Sequence, residues 1–114
     1  MNRYLVPVLY ILIVAVSSCQ LDIEPGTPGC IQEQIKEFSK SKIPCDDGKS
    51  VSSYNFQGKI VFVFDPGVCG NDLTSEVIDS NCNSLGFLGG IAGNIVISGE
   101  EFSNAILIST VWEH

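Results

Sequence analysis

Apolar positions along the chain change their period several times, and each change predicts a different element. Residues 4–16, "YLVPVLYILIVAV", form an uncharged, mostly apolar run behind a single positive residue, Arg3. That run is shorter than the ~20 residues a membrane-spanning helix needs, and Pro7 inside it disfavours a long helix. A basic start, a short apolar stretch and small residues at its end describe an export signal over residues 1–18, not a strand of the domain. Residues 20–29, "QLDIEPGTPG", hold two prolines and two glycines with no apolar period. They predict, with residue 19, a flexible tether over residues 19–29.

In "CIQEQIKEFSKSKIPC" the period becomes helical. Ile31, Ile35 and Phe38 fall at i, i+4 and i+7, one stripe turned toward a core. Glu33 and Glu37 lie on the polar side, and Lys36, Lys40 and Lys42 gather toward the end where the helix dipole favours positive charge. Pro44 prevents continuation. From residue 50 the period falls to two. "SVSSYNF", "QG" and "KIVFVFD" read as two strands joined by a tight turn with Gly58. Ile60, Phe62 and Phe64 share one face and Val61 and Val63 the other, so this second strand belongs in the middle of a sheet. "SEVID", the turn "SNCN" and "SLGFL" predict a second hairpin, with Asn and Asp where turn geometry is tolerated. A glycine-rich link, "GGIAGN", leads to "IVIS", a loop around Phe102 and a closing strand "AILISTVW". The expectation is an α+β fold over residues 30–114: one N-terminal helix packed on an antiparallel sheet of about five strands, stapled by disulfides.

The cysteines sharpen this picture. Val16, Ser17, Ser18 and Cys19 resemble the lipobox of bacterial lipoproteins: an aliphatic residue, two small ones, then cysteine. In such proteins the cysteine becomes the new N-terminus and carries acyl chains, palmitate among them, on its sulfur and amine. Ordinary cleavage beside an incidental thiol, and retention of the apolar run as an anchor, are the alternatives. With Cys19 lipidated, an even set of four remains, Cys30, Cys45, Cys69 and Cys82, which in a short exported domain reads as a disulfide framework. Without lipidation the chain would carry an odd thiol in an oxidising compartment. Four cysteines allow three pairings. Cys30–Cys45 and Cys69–Cys82 close the shorter loops and are the expected pair, each worth ~3 kcal/mol in the chain-entropy account.

Charge narrows the partners. The formal net charge is −7, and removal of Arg3 with the signal leaves lysine as the only cationic side chain type besides one histidine. Phosphate binding needs clustered Lys and Arg, so nucleic acid is excluded, and electrostatic attraction to anionic headgroups is disfavoured. Membrane association is expected through the lipid on Cys19, for which two or more acyl chains suffice. Asp22 and Glu24, just after that cysteine, loosely resemble signals that send lipoproteins to the outer membrane and its surface.

Candidate chemistry adds little. "DSNCN" places Asp79, Asn81 and Asn83 at alternate positions, as an EF-hand loop begins, but Ser84 and Gly90 stand where that loop needs glycine and a bidentate glutamate. A plain turn is the better reading, with a weak calcium site joining Asp79 to Asp72 or Glu76 as the alternative. Gly86, Gly89, Gly90 and Gly93 lack both the Lys-Ser/Thr of a Walker loop and G-x-G-x-x-G spacing, so they are expected to serve backbone conformation. The sole histidine, His114, is the final residue and is expected to be mobile, leaving any Ser or Cys nucleophile without a base. No C-x-x-C occurs, which argues against zinc. The acidic pairs Asp46 with Asp47, and Asp65 with Asp72, read as solvated surface. No enzymatic activity, cofactor or metal is expected.

"GKIVFVFDPGVCGNDLTSEVIDSNCNSLGFLGGIAGN", followed by a closing "W-E", resembles an uncharacterised family of small lipoproteins from Bacteroidetes-type bacteria. Its members share a cysteine-led helix, a "Y-x-F-x-G-K-x-V-x-V" hairpin, an acidic-asparagine turn and a "GG-x-x-G" stretch, and the similarity spans residues 29–113. It implies no activity and no functional residues. Two expectations remain for this small, monomeric domain of the cell envelope. One is a non-catalytic binding or accessory module for a protein, peptide or glycan, with Tyr54, Trp112 and the outward members of the strands as contact candidates. The other is an inhibitor that presents residues 65–72, "DPGVCGND", to an enzyme: Pro66 and Cys69 would stiffen the loop, Gly67 would expose it, and Asp65, Val68, Asn71 and Asp72 would make contact.

Overall fold

The computed structural model describes residues 21–41, 48–68 and 73–114. The described chain forms one helix, α1 (Gly29–Lys40), followed by strands β1 (Ser50–Phe56), β2 (Lys59–Asp65), β3 (Thr74–Asp79), β4 (Ser84–Gly89), β5 (Val96–Ile97), β6 (Glu100–Glu101) and β7 (Ile106–Glu113). Five of the strands make one antiparallel sheet in the order β4-β3-β2-β1-β7, with β2 at its centre. The fold is the expected α+β arrangement of a helix on a five-stranded sheet.

The hairpin β1–β2 shows why the local sequence suffices. Gln57 and Gly58 both have positive φ, 56° and 79°, the pair of conformations a two-residue turn needs to match the right-handed twist of its strands. The turn fixes the register, Phe56 opposite Lys59 and Val51 opposite Phe64, and register decides which side chains enter which face. Toward the helix, β1 and β2 place Val51, Phe62 and Phe64. These pack with Ile31, Ile35, Ile78, Val111 and Trp112 into the larger core cluster. Phe38 closes it with edge-on contacts to Phe64 and Trp112 at 5.3 and 6.2 Å between ring centroids, so the predicted stripe of α1 is the stripe that is buried.

The opposite face of the sheet has its own cluster, Phe56, Val61, Val77 and Ile97, bordered by Tyr54 and Phe102. Here "IVIS" departs from its expected place. Only Val96 and Ile97 are extended, and they pair with β6 in a separate two-stranded ribbon. Ile97, wholly buried, needs room on this face, and Gly86 supplies it: a Cβ there would come within 3.1 Å of Ile97 Cδ1 at a φ of +144°.

Three further expectations are corrected. Cys30 is bonded to Cys82, with 6.2 Å between the Cα atoms, and not to Cys45. Helix α1 is the reason. It begins over the β3–β4 turn, where Cys30 Sγ lies 3.5 Å from the Ser80 carbonyl, and then carries the chain about 15 Å away over its next ten residues. Cys82 is thereby also unavailable to Cys69; Cys45 and Cys69 themselves lie outside the described residues. Second, residues 21–28 fold against the domain instead of forming a flexible tether. Leu21 and Ile23 pack on the larger cluster, Glu24 N donates to Val111 O at 2.9 Å along the outer edge of β7, and Thr27 is buried. Third, His114 is held in place: its N–H donates to Lys49 O at 2.9 Å and its ring stands edge-on to Trp112 at 6.3 Å.

Candidate binding groove

Helix α1 and the 21–28 segment together leave part of the sheet's helix-side face uncovered. The result is an open groove of about 550 Å³. One wall is the loop from Glu24 to Pro28, the floor is Ser53 of β1 with Ile60 and Phe62 of β2, and the other side is Ile108 and Ser109 of β7. The pairing explains the floor: Ser53 lies opposite Phe62 on one side and Ser109 on the other.

The polar part of the groove is a hydrogen-bonded chain. Ser53, almost fully buried, has its hydroxyl 3.2 Å from that of Ser109, and Ser109 Oγ donates to Glu24 Oε1 at 2.8 Å. The loop carrying Glu24 is fixed by Thr27 Oγ1 donating to Glu24 O at 2.7 Å and by Gln32 Nε2 donating to Thr27 O at 2.8 Å. The two hydroxyls and the carboxylate therefore satisfy one another and present a fixed polar strip between apolar walls. Ser109 gives its proton to a carboxylate, and the histidine that could serve as a base is tied down at the far end of β7, about 16 Å along the strand.

The apolar part continues past the groove. Ile106, Leu107 and Ile108 at the start of β7 are 68, 57 and 50 % exposed, and Ile60 on the groove floor is 45 % exposed. β7 is the last strand of its sheet. A register shift against β1 between Ser109 and Leu107 leaves Ile108 as the extra residue of this edge. Among the described residues, Glu24 caps the edge at Val111 and nothing is paired to it from Ile106 to Ile108. Scattered apolar exposure is ordinary, whereas a contiguous strip beside an unpaired strand edge marks an interaction surface.

The other sequence candidates fall elsewhere. Trp112 is a core residue, so it is no contact residue, and Tyr54 is half-buried against Phe102 at 5.1 Å. In the expected presenting loop, Asp65 Oδ1 accepts the Gly67 N–H at 2.9 Å and Val68 stands 86 % exposed, while Cys69, Asn71 and Asp72 lie outside the described residues. Asp79 and Glu76 sit three residues apart on one strand and pair with Val61 and Phe64, which face opposite sides of the sheet, so their carboxylates do not converge on one ion. Asp79 is instead used by its own turn. Its Oδ1 accepts the N–H groups of Asn81 and Asn83, each at 2.9 Å. These bonds, that of Asn83 foremost, hold the carboxyl below the usual aspartate value against a smaller opposing effect of burial. A carboxyl depressed in the folded state adds stability above its unfolded pKa, and this is lost as pH falls through the folded value. Urea titrations near pH 6 and near pH 3 should therefore show a smaller acid loss of stability for Asp79→Asn than for the native chain.

Ser53 and Ser109 went unmarked in the sequence, and Glu24 stood out there only beside Asp22 as a sorting signal. Two serines in strands carry no motif, and Glu24 stands in a segment read as a linker. Residues 34–114 match the family described as domain of unknown function DUF6970. The chain belongs to that family. The match starts within α1, so the DUF6970 region contains the entire sheet and excludes the 21–28 segment that walls the groove. No curated protein and no solved structure matches the chain.

Proposed function

We propose that this DUF6970 protein is a bacterial envelope lipoprotein, anchored through acylated Cys19, whose domain is a non-catalytic module that binds an extended segment of a protein partner along the groove and the free edge of β7. The observation carrying the binding reading is the exposure of Ile60 and Ile108, which line the groove, and of Ile106, in register with Ile60 across Asn55, along an unpaired strand edge. An added strand gains main-chain hydrogen bonds at the edge and side-chain burial in the groove. The anchoring reading rests on the Val-Ser-Ser-Cys sequence behind a short apolar run and on the even cysteine set that lipidation leaves.

Two measurements test these readings. The intact mass of membrane-extracted protein should equal residues 19–114 plus acyl groups less four hydrogens, whereas an unacylated mass would remove the anchor. A photo-crosslinking residue at Ile106 or Ile108, introduced in cells, should yield one discrete adduct that the same residue at Glu33 on α1 does not. Absence of an adduct at either strand position would remove the binding role.

A second reading, an enzyme inhibitor presenting residues 65–72, draws on the exposure of Val68 beside the Asp65–Gly67 turn. It requires stoichiometric inhibition in a panel of proteases and glycosidases.

A further inference from the structure

The folding of residues 21–28 against the domain has a consequence for how an anchored molecule sits on a membrane. Leu21 lies two residues beyond Cys19, and two residues of extended chain span at most about 7 Å. The bilayer must then lie close to wherever Leu21 is held.

Two sets of neighbours fix that place. Leu21 and Ile23 share a shallow groove with Lys36, Ser39 and Lys40, in the C-terminal half of α1. Asp22 lies beside residues 110–113, the C-terminal end of β7, and Glu24 N bonds to Val111 O. The segment therefore runs antiparallel to β7 and enters the fold at one end of the sheet. In register, that end contains Ser50, Asp65 and Glu113 together. Gly48 and Val68 belong to it as well: a Cβ on Gly48 would meet Gly67 Cα at 3.5 Å and Val68 N at 3.7 Å. The opposite end holds the Gln57–Gly58 turn and the β3–β4 turn at Asn81, a full strand length away, about 20 Å for the seven residues of β1.

We propose that the anchored domain docks end-on against the phospholipid surface that holds its acyl chains, with the Leu21, Lys40 and Val68 end in contact with the bilayer and the Asn81 end pointing away. This rests on the lipoprotein reading above. Chain length is the main determinant, because the protein is acidic overall. The contacting end nevertheless suits an interface. Val68 is a freely exposed apolar side chain there, and Lys36 and Lys40 line the side of α1 that faces Leu21, whereas Glu37 lines the other side with Glu76. Asp22 and Glu24 accompany the lysines and reduce the net attraction. In this orientation the binding groove, which lies between Ser53, Ile60 and Ile108, opens toward the outer half of the domain. The 65–68 turn is meanwhile pressed to the membrane and withdrawn from any soluble enzyme.

Depth-dependent quenching tests the orientation. In a Trp112→Phe background, which removes the sole native tryptophan, lipidated Val68→Trp and Asn81→Trp proteins are reconstituted into phosphatidylcholine–phosphatidylglycerol vesicles brominated on the acyl chains. Quenching several-fold stronger at position 68 than at 81 is expected. Ten Gly/Ser residues inserted between Gln20 and Leu21 should abolish the difference while the protein remains vesicle-bound. Equal quenching at the two positions in a vesicle-bound, acylated protein overturns the docking alone, and a protein without acyl mass overturns the lipoprotein reading and the docking with it. Should the Trp112→Phe background fail to fold, hydrogen exchange on the unsubstituted lipoprotein decides. Membrane binding should slow exchange at residues 48–50 and 66–68 relative to soluble Cys19→Ser protein and leave residues 80–84 unchanged. Uniform or distal protection overturns the proposal.

Discussion

Replacing Cys30 and Cys82 together by serine is expected to cost about 4 kcal/mol of folding stability, the largest single loss for any covalent feature described. The bond closes a sequence separation of 52 residues, and in the chain-entropy account the stabilisation grows with the logarithm of the loop, from ~3 kcal/mol for 15 residues to ~4.7 for 100. It also ties together two elements 52 residues apart in sequence, the first turn of α1 and the β3–β4 turn. Loss of the bond lets the helix N-terminus lift from the far end of the sheet. A small domain has about 5–15 kcal/mol of net stability, so the double variant should unfold at a much lower denaturant concentration, measured on the Cys19→Ser background, which removes the proposed acylation site. A shift of a few tenths of a molar in the urea midpoint would show that the native contacts at Ser80 and Cys82 already hold the helix. The same chemistry predicts the partner of the remaining thiols. Cys45 precedes Gly48 by three residues and Cys69 follows Val68, and Gly48 packs against Gly67 and Val68. Peptide mapping without reduction should therefore recover Cys30–Cys82 and Cys45–Cys69, and no other pair.

The sheet was legible in the sequence because its determinants are local. Gln-Gly between two alternating segments specifies the β1–β2 turn, and the five-residue apolar run from Ile60 to Phe64 can be buried only by a strand covered on both faces. The stripe of α1 was legible for the same reason. What failed depends on contacts distant in sequence. Short-loop closure favoured Cys30–Cys45, but which cysteines meet is decided by the direction in which α1 crosses the sheet, and no local pattern encodes that. Residues 21–24, Leu-Asp-Ile-Glu, do alternate apolar and polar. That period of two was outweighed by Pro25, Gly26, Pro28 and Gly29 behind it, although a proline-bounded edge segment is where a short strand-like piece can end. The groove was invisible because it is a property of what the helix leaves uncovered. Its polar residues are two serines and a glutamate brought together across 85 positions of sequence between Glu24 and Ser109.

Lys49 was equally invisible, and its replacement by methionine should produce the second large effect, a destabilisation of about 2–3 kcal/mol. Its sequence neighbours, Gly48 and Ser50, give no sign of burial, yet only 1 % of the residue is exposed, and it is the one charged residue buried among those described. The position explains how a charge is tolerated there. The ammonium donates to Phe38 O at 3.1 Å and to Ser41 O, and stands 5.4 Å from the centre of the Phe38 ring. Phe38 O, which also accepts the Ser41 N–H at 3.2 Å, and Ser41 O of the C-cap lie at the end of α1 that carries the negative end of its dipole. Lys49 thus acts as a C-terminal cap supplied from the start of β1, and it ties the helix to the strand on which the core registers. Methionine preserves the length and apolar stem but removes the charge-assisted hydrogen bonds, each worth about 1.5–3 kcal/mol. Against this stands the relief of no longer burying an ammonium, which in other proteins can make such replacements neutral. Here the loss should win, because two charge-assisted bonds go together while the ammonium is partly compensated where it stands by the Phe38 ring. Urea unfolding of Lys49→Met should show the predicted drop with little dependence on ionic strength, since a buried contact is weakly screened. Unchanged or increased stability would mean that the desolvation of Lys49 outweighs the capping bonds, and that the α1–β1 junction is held by Phe38 and its aromatic neighbours alone.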